Sequence, residues 1–236
     1  MQEGSSRDVL VSLPKPIVYA HRVNDKRRAE FMARRGVRFV EIDVNQRNGE
    51  LVVVHGLSTS GLRRSFIARM CAKVCYRLIA VGDPLLKPLS LEEYLQLFGE
   101  RFRFWFDIKV RGIEDRLLKL IDMYGVKKPI VISSGYYDVL KKIKELDPSI
   151  AVFLGNVSFY PVSSSIVKEV GADGISIELG FVDKRLVEMM HRDGVMVAVW
   201  TVNDIHLVPK LVELGVDIVI TDYPTEVLRV LGKARG

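Results

Sequence analysis

Along the chain, short runs of Val, Ile and Phe alternate with segments in which apolar residues recur three and four apart. These are the periodicities of buried strands and amphipathic helices. The apolar runs lie at 17–20, 37–43, 102–108, 129–133, 151–154, 174–178, 195–200 and 217–221. Each is nearly continuous rather than alternating, as strands covered on both faces should be. Helical spacing falls between them, for example at 113–123, 139–145, 184–191 and 205–214, with Gly36, Gly125, Gly194 and Gly215 where such helices should stop. Eight strand–helix repeats at near-constant spacing predict an α/β chain folded as a (β/α)₈ TIM barrel. An open doubly wound sheet would need fewer strands and a glycine-rich turn after the first, where this chain has His21-Arg22.

The second repeat breaks the rhythm. An extra apolar strand at 51–54 and a basic amphipathic stretch precede the helix at 91–98, which predicts a short helical insertion at about 56–88. Segments that follow barrel strands stand over the C-terminal rim, so the insertion is a candidate lid. From Arg63 to Val81, Arg69, Lys73 and Arg77 form one stripe beside Phe66, Met70, Val74 and Leu78. Such a helix either packs on its own barrel or makes a peripheral contact with an anionic membrane surface.

With 236 residues, one barrel domain over 1–236 accounts for the length, since such barrels take ~250 residues. Apolar residues are 48% and charged residues 27%, which excludes a disordered chain. Cys71 and Cys75, four apart in a helical pattern, are too few for a disulfide framework. The first twelve residues lack the basic start and apolar stretch of a secretory leader, and no window reaches ~18 uninterrupted apolar residues. A cytoplasmic location is the expectation. The formal charge of +6 favours anionic partners, and without a zinc-finger, RNA-binding or helix-turn-helix pattern no nucleic-acid partner is expected.

Polar residues at the ends of buried strands mark where strands meet solvent or a ligand, because an unpaired buried charge is costly. The first strand finishes in His21-Arg22, the second contains Glu41-Ile42-Asp43 and the third Asp107-Ile108-Lys109. Residues two apart on a strand share a face, so Glu41 and Asp43 aim together, as do Asp107 and Lys109. Three converging carboxylates offer an oxygen-only set suited to a hard divalent cation, Mg²⁺ or Ca²⁺. The competing reading is a salt-bridge layer in which Arg22 and Lys109 neutralise Glu41 and Asp107. His21 and His55, the latter ending the extra strand, flank these carboxylates, and two imidazoles could share acid and base roles. His191 and His206 lie in helical patterns and suggest no chemistry.

These residues also carry a resemblance. The chain resembles the glycerophosphodiester phosphodiesterase superfamily over most of its length. The matching motifs are His21-Arg22, Glu41-Ile42-Asp43, Asn48-Gly49 through His55, Pro88-Leu89-Ser90-Leu91-Glu92-Glu93, Asp107-Ile108-Lys109, Trp200-Thr201-Val202-Asn203, and Gly215-Val216-Asp217 with Thr221-Asp222-Tyr223-Pro224. Departures occur at Val23-Asn24, where the family has Gly and a Pro-Glu-Asn-Thr segment, at Gly56 after His55, and at Asp107 in place of Glu. These are similar to the phospholipase D toxins, the sphingomyelinase D branch, although that branch's cysteine-rich loop is replaced by residues 57–61.

The resemblance implies Glu41, Asp43 and Asp107 as ligands of a divalent metal, His21 and His55 as catalytic pair, and Arg22 and Lys109 as phosphate contacts. Trp200, Asn203 and Glu178, at or after strand ends, complete the expected substrate contacts. The implied activity is hydrolysis of a glycerophosphodiester to an alcohol and glycerol phosphate. The alternatives are release of a head group from a lysolipid, by a cyclic phosphate where a neighbouring hydroxyl attacks, and a non-catalytic barrel that binds anions or lipid.

Overall fold

A computed structural model of the protein describes residues 4–55, 88–157 and 163–234. Among them, nine strands form one sheet: β1 (Ile17–Ala20), β2 (Phe39–Arg47), β3 (Glu50–Val53), β4 (Arg103–Ile108), β5 (Val131–Ser134), β6 (Ala151–Val157), β7 (Gly174–Glu178), β8 (Met196–Trp200) and β9 (Ile218–Thr221). Parallel pairing of Ala20 with Val40 joins β1 to β2 and closes eight parallel strands into a barrel, while β3 pairs antiparallel with β2 outside that count. The predicted (β/α)₈ architecture is the one observed. The surrounding helices are α1 (Ser6–Ser12), α2 (Lys26–Arg34), α3 (Leu91–Phe98), α4 (Glu114–Met123), α5 (Tyr137–Leu146), α6 (Ser164–Val170), α7 (Lys184–Arg192), α8 (Val208–Glu213) and α9 (Pro224–Ala234).

Two buried layers follow from the strand alternation. Outward residues such as Val40, Ile42, Phe104, Phe106 and Ile132 pack against the helices. Inward ones, among them Ile17, Tyr19, Trp105, Val131, Phe153, Ala198 and Ile220, fill the barrel. Both faces are therefore apolar, which is why the sequence shows continuous runs. Phe153 lies over the neighbouring strand because Gly174 leaves room: a Cβ there would lie 2.2 Å from its ring. Tyr19, Trp105 and Phe153 pack with ring centroids 5.4 and 4.8 Å apart, forming an aromatic floor beneath the upper cavity.

Several elements depart from the sequence expectation for identifiable reasons. The second strand, expected at 37–43, continues to Arg47 because β3 gives it a hairpin partner, with Val44 opposite Val53 and Arg47 opposite Glu50. Asn48 and Gly49 both take positive φ, 48° and 84°, the turn that matches strand twist in a two-residue hairpin. Strand β6 runs three residues past the expected 154, across a register irregularity between Leu154 and Val157. The helix expected at 205–214 opens as a 3₁₀ turn at Ile205–Leu207 and becomes α-helical only where Pro209 can occupy the first turn. Helix α1, for which the apolar pattern gave no sign, brings Leu10 into the interior cluster. It ties Ser6 to Ser149 and Ile130, just before β6 and β5, and so stops the barrel's N-terminal end.

The insertion expected at about 56–88, apart from Pro88, lies outside the described residues, as do the basic stretch from Arg63 to Val81, Cys71 and Cys75. Helix α3 is described, held at its start by a capping box between Ser90 and Glu93. No helix among the described residues is long and apolar enough to cross a membrane.

Candidate active site

The C-terminal ends of β1, β2 and β4, with His55 two residues past β3, build one wall of a cavity of about 260 Å³. Beyond Ala20 the backbone turns sharply over the end of β2. Arg22 adopts φ 48°, and its N–H donates to Glu41 Oε2 at 2.6 Å. The Val23 N–H then donates to the Glu41 carbonyl at 2.8 Å, and the buried Tyr94 hydroxyl donates to the Val23 carbonyl at 2.5 Å. Asn24 closes this turn onto Asp43, donating from Nδ2 to Oδ2 at 2.7 Å and accepting the Asp43 N–H at 2.9 Å. The run 21–24 is thus fixed to β2 by main-chain and side-chain bonds that orient its polar groups.

Glu41, Asp43 and Asp107 point into the cavity with one oxygen of each within 4.8 Å of the others. Glu41 is 4% exposed and Asp43 1%. Burial, then the charges of Asp43 and Asp107, push the Glu41 carboxyl well above its ordinary range. Burial likewise raises Asp107, against the opposing pull of Lys109. For Asp43 burial acts upward too, but the hydrogen bond from His55, the Lys109 ammonium and Asn24 outweigh it and hold the carboxyl low. Lys109 meets Asp43 at 3.2 Å and also contacts Asp107. Burial favours its neutral amine, yet these carboxylates raise its pKa overall.

Lys109 therefore does pair with Asp107, as the salt-bridge reading expected, but Arg22 does not neutralise Glu41. Its guanidinium approaches Asp43 at 4.0 Å and donates to His55 Nε2 at 3.0 Å. Three carboxylates face one buried ammonium and one partly exposed guanidinium, and the deficit of positive charge with an all-oxygen donor set fits a hard divalent cation.

Each histidine is oriented by its own carboxylate. His55 donates from Nδ1 to Asp43 Oδ1 at 3.1 Å. His21 donates from Nδ1 to Asp222 Oδ1 at 3.1 Å, which leaves Nε2 as the acceptor nitrogen on a ring that lines the cavity. Asp222 is fixed by Asn203 Nδ2 at 2.7 Å, by its own N–H to Asn203 Oδ1 at 3.0 Å, and by Arg28 at 3.3 Å. Burial pushes Asp222 up, but His21, Asn203 and Arg28 lower it to about 2.

The remaining wall comes from β5, β7, β8 and β9 through Ser133, Ser176, Trp200 and Ile220, over the floor made by Trp105. The Trp105 indole N–H donates to Ser133 Oγ at 2.7 Å, and that hydroxyl donates to Asp107 at 3.0 Å.

His21, Arg22, Glu41, Asp43, His55, Asp107, Lys109 and Trp200 all line this one cavity. Asn203 does not; it reaches Asp222 instead. Glu178 ends β7 exposed at the rim and is likewise absent from the cavity wall. His191 pairs with Asp217 at 2.8 Å, at the other end of β9. Sequence reading assigned no role to Asn24, Ser133, Ser176 or Asp222. For Asp222 a signal existed: it continues the inward alternation of Ile218 and Ile220 by one more step, as a charged residue.

The C-terminal end of the barrel thus carries an acidic cluster flanked by oriented imidazoles. The model of the glycerophosphoryl diester phosphodiesterase family matches residues 87–226. A glycerophosphodiester phosphodiesterase of Bacillus altitudinis is 24% identical over 81% of this chain and 85% of its own length. Another, from Caldanaerobacter subterraneus subsp. tengcongensis, is 24% identical over 93% and 99%. Among solved structures, an Oleispira antarctica phosphodiesterase in complex with the product sn-glycerol-3-phosphate superposes with a TM-score of 0.73 at 21% identity, covering 92% of this chain and 97% of that one. The chain belongs to the glycerophosphoryl diester phosphodiesterase family and is a phosphoric diester hydrolase.

Proposed function

We propose that the protein hydrolyses glycerophosphodiesters to an alcohol and glycerol phosphate through the cavity at the end of β1, β2 and β4. The observation that carries this reading is a pair of imidazoles, each held by its own carboxylate, on a cavity wall that also presents three converging carboxylates. The Oleispira antarctica relative with bound sn-glycerol-3-phosphate supports the choice of substrate.

In this reading Glu41, Asp43 and Asp107 hold Mg²⁺ or Ca²⁺. Bound there, the cation supplies positive charge to the non-bridging phosphate oxygens. Lys109 adds a point charge on the same side and Arg22 a forked donor. His21 accepts a proton from the attacking water at Nε2 while Asp222 holds Nδ1–H. The water oxygen bonds to phosphorus, the bond to the leaving alcohol oxygen breaks, and His55 gives that oxygen a proton from Nε2. Protonation of His55 at Nε2 requires Arg22 to leave that nitrogen, which frees the guanidinium for the phosphate. Exchange with solvent then returns His21 and His55 to their starting forms. Trp200 borders the mouth and meets the substrate's organic part, whereas Asn203 acts by holding Asp222.

A product screen by ³¹P NMR with glycerophosphodiesters and lysophospholipids, in Mg²⁺ or Ca²⁺, tests this. Glycerol phosphate should form from glycerophosphodiesters, cease with EDTA, and fall ~10²–10⁴-fold in His21→Ala and in His55→Ala. Head-group release from lysolipids alone would replace the substrate assignment with the lysolipid alternative. No turnover of any diester would leave the anion-binding barrel.

A further inference from the structure

Among the described hydroxyls of the cavity, Ser176 neither enters that scheme nor bonds to a group that does. Ser176 is 6% exposed, lines the cavity, and its hydroxyl has no hydrogen-bond partner among the described residues. Ser133, the other wall hydroxyl, already accepts from Trp105 and donates to Asp107. Among the described residues the buried side-chain polar atoms without a partner are Tyr19 Oη and Arg28 Nε, so Ser176 Oγ is open to the cavity, where water or a ligand pairs with it.

Its surroundings leave space for that ligand. Ser176 stands opposite Ala198 in the β7–β8 register, and on the β6 side the inward position after Phe153 is Gly155. A Cβ on Gly155 would come within 3.3 Å of the Ser133 Cβ and 3.2 Å of the Ser134 nitrogen, so β6 passes close to β5 there. Above Ser176 on the neighbouring strand is Trp200, which offers an aromatic face. Facing His21, His55 and the carboxylates on β1, β2 and β4, the wall at β7 and β8 presents Ser176 and Trp200.

We propose that Ser176 binds a hydroxyl of the substrate's glycerol moiety. The inference rests on the diesterase reading and adds its selectivity element. A hydroxyl there both donates and accepts, which matches an alcohol better than an ester or an alkyl group. A site built to pair a substrate hydroxyl disfavours the analogue that lacks it, because its own polar group is then left unpaired.

The test compares glycerophosphocholine with propyl phosphocholine, which has the same leaving group and neither glycerol hydroxyl. Wild type should prefer the glycerol compound, and Ser176→Ala should lose about three- to tenfold in kcat/KM on it with little change on the propyl compound. Inhibition by sn-glycerol 3-phosphate should weaken in the variant while inhibition by inorganic phosphate stays the same, and a thermal melt confirms folding. An equal loss on both substrates, or none on either, overturns the role of Ser176. Failure of the wild type to cleave either diester would instead overturn the diesterase reading, while weakened sn-glycerol 3-phosphate binding in the variant would still support the Ser176 contact.

Discussion

The two ends of the barrel use carboxylates in opposite ways. At the N-terminal end, Asp173 just before β7 meets Lys144 at 2.8 Å, Arg7 at 3.6 Å and the Val152 N–H at 2.9 Å. Asp217, just before β9, meets Lys15 at 3.6 Å, His191 at 2.8 Å and the Val197 N–H at 2.9 Å. Each of these carboxylates has basic partners and a backbone donor of its own. At the C-terminal end Glu41, Asp43 and Asp107 instead face one another and share Lys109. Residues of one chemical type therefore fasten one end, while at the other Glu41 and Asp107 are pushed up by burial and by neighbouring carboxylates and only Asp43 is held low by its partners. Repulsion kept where a neutral residue would relieve it is what the proposed cation site would require.

Neutralising one member of the upper cluster is the most direct way to break that contrast. In Glu41→Gln and in Asp107→Asn, turnover should fall at least ~10³-fold, as expected when a group holding a catalytic cation is lost. The metal-free variants should melt no lower than the wild type, since a destabilising charge has gone. Mg²⁺ or Ca²⁺ should raise the wild-type melting temperature by linkage and leave the variants unmoved. Calorimetric melts with and without the ion measure this. A variant that melts several degrees lower while keeping its activity would place these carboxylates with the structural ones.

The lower end should respond in reverse. Asp217→Ala removes the partner of Lys15, His191 and the Val197 N–H, and should cost about 1–3 kcal/mol, mainly the penalty for leaving the buried Val197 N–H unmet. For a chain of this size that is roughly 2–4 °C of melting temperature per kcal/mol. The ratio kcat/KM should not change. A loss of turnover larger than the loss of folded protein would show that the two ends are coupled.

The same contrast explains what could be read in advance. Barrel strands were legible because both faces are apolar, and the upper carboxylates because a charge at the end of such a run breaks the pattern. Glu41, Asp43, Asp107 and Lys109 all came out of two-residue spacing on a strand. Helix α1 was not legible: its one buried apolar residue, Leu10, makes no periodic pattern in seven residues. Nor was Asn24, whose value lies in a clamp on Asp43 across 19 residues of sequence that only the φ 48° turn at Arg22 makes possible. Ser176 was invisible for a different reason. A hydroxyl in a buried strand reads as neutral, and its lack of a partner is a property of the packed barrel alone.

Asp222 lies between the two behaviours, and its response to pH sharpens the comparison with the smallest effect. It is a carboxylate at the upper rim, yet like the lower ones it has partners of its own in His21, Asn203 and Arg28, which bring its pKa to about 2 from 3.8. A carboxylate lowered in the folded state stabilises the protein above its unfolded pKa, and that contribution disappears as pH falls through the folded value. Asp222→Asn should therefore be less stable than wild type at neutral pH, with the two urea curves converging between about pH 4 and pH 2. Because its side chain is 36% exposed, solvent screening reduces the difference to about 0.5–1 kcal/mol. Convergence in that window would put Asp222 with the fastened carboxylates. A variant as stable as wild type at pH 7, or a gap that widens in acid, would mean that Asp222 belongs with Glu41 and Asp107 as a group held against its own preference.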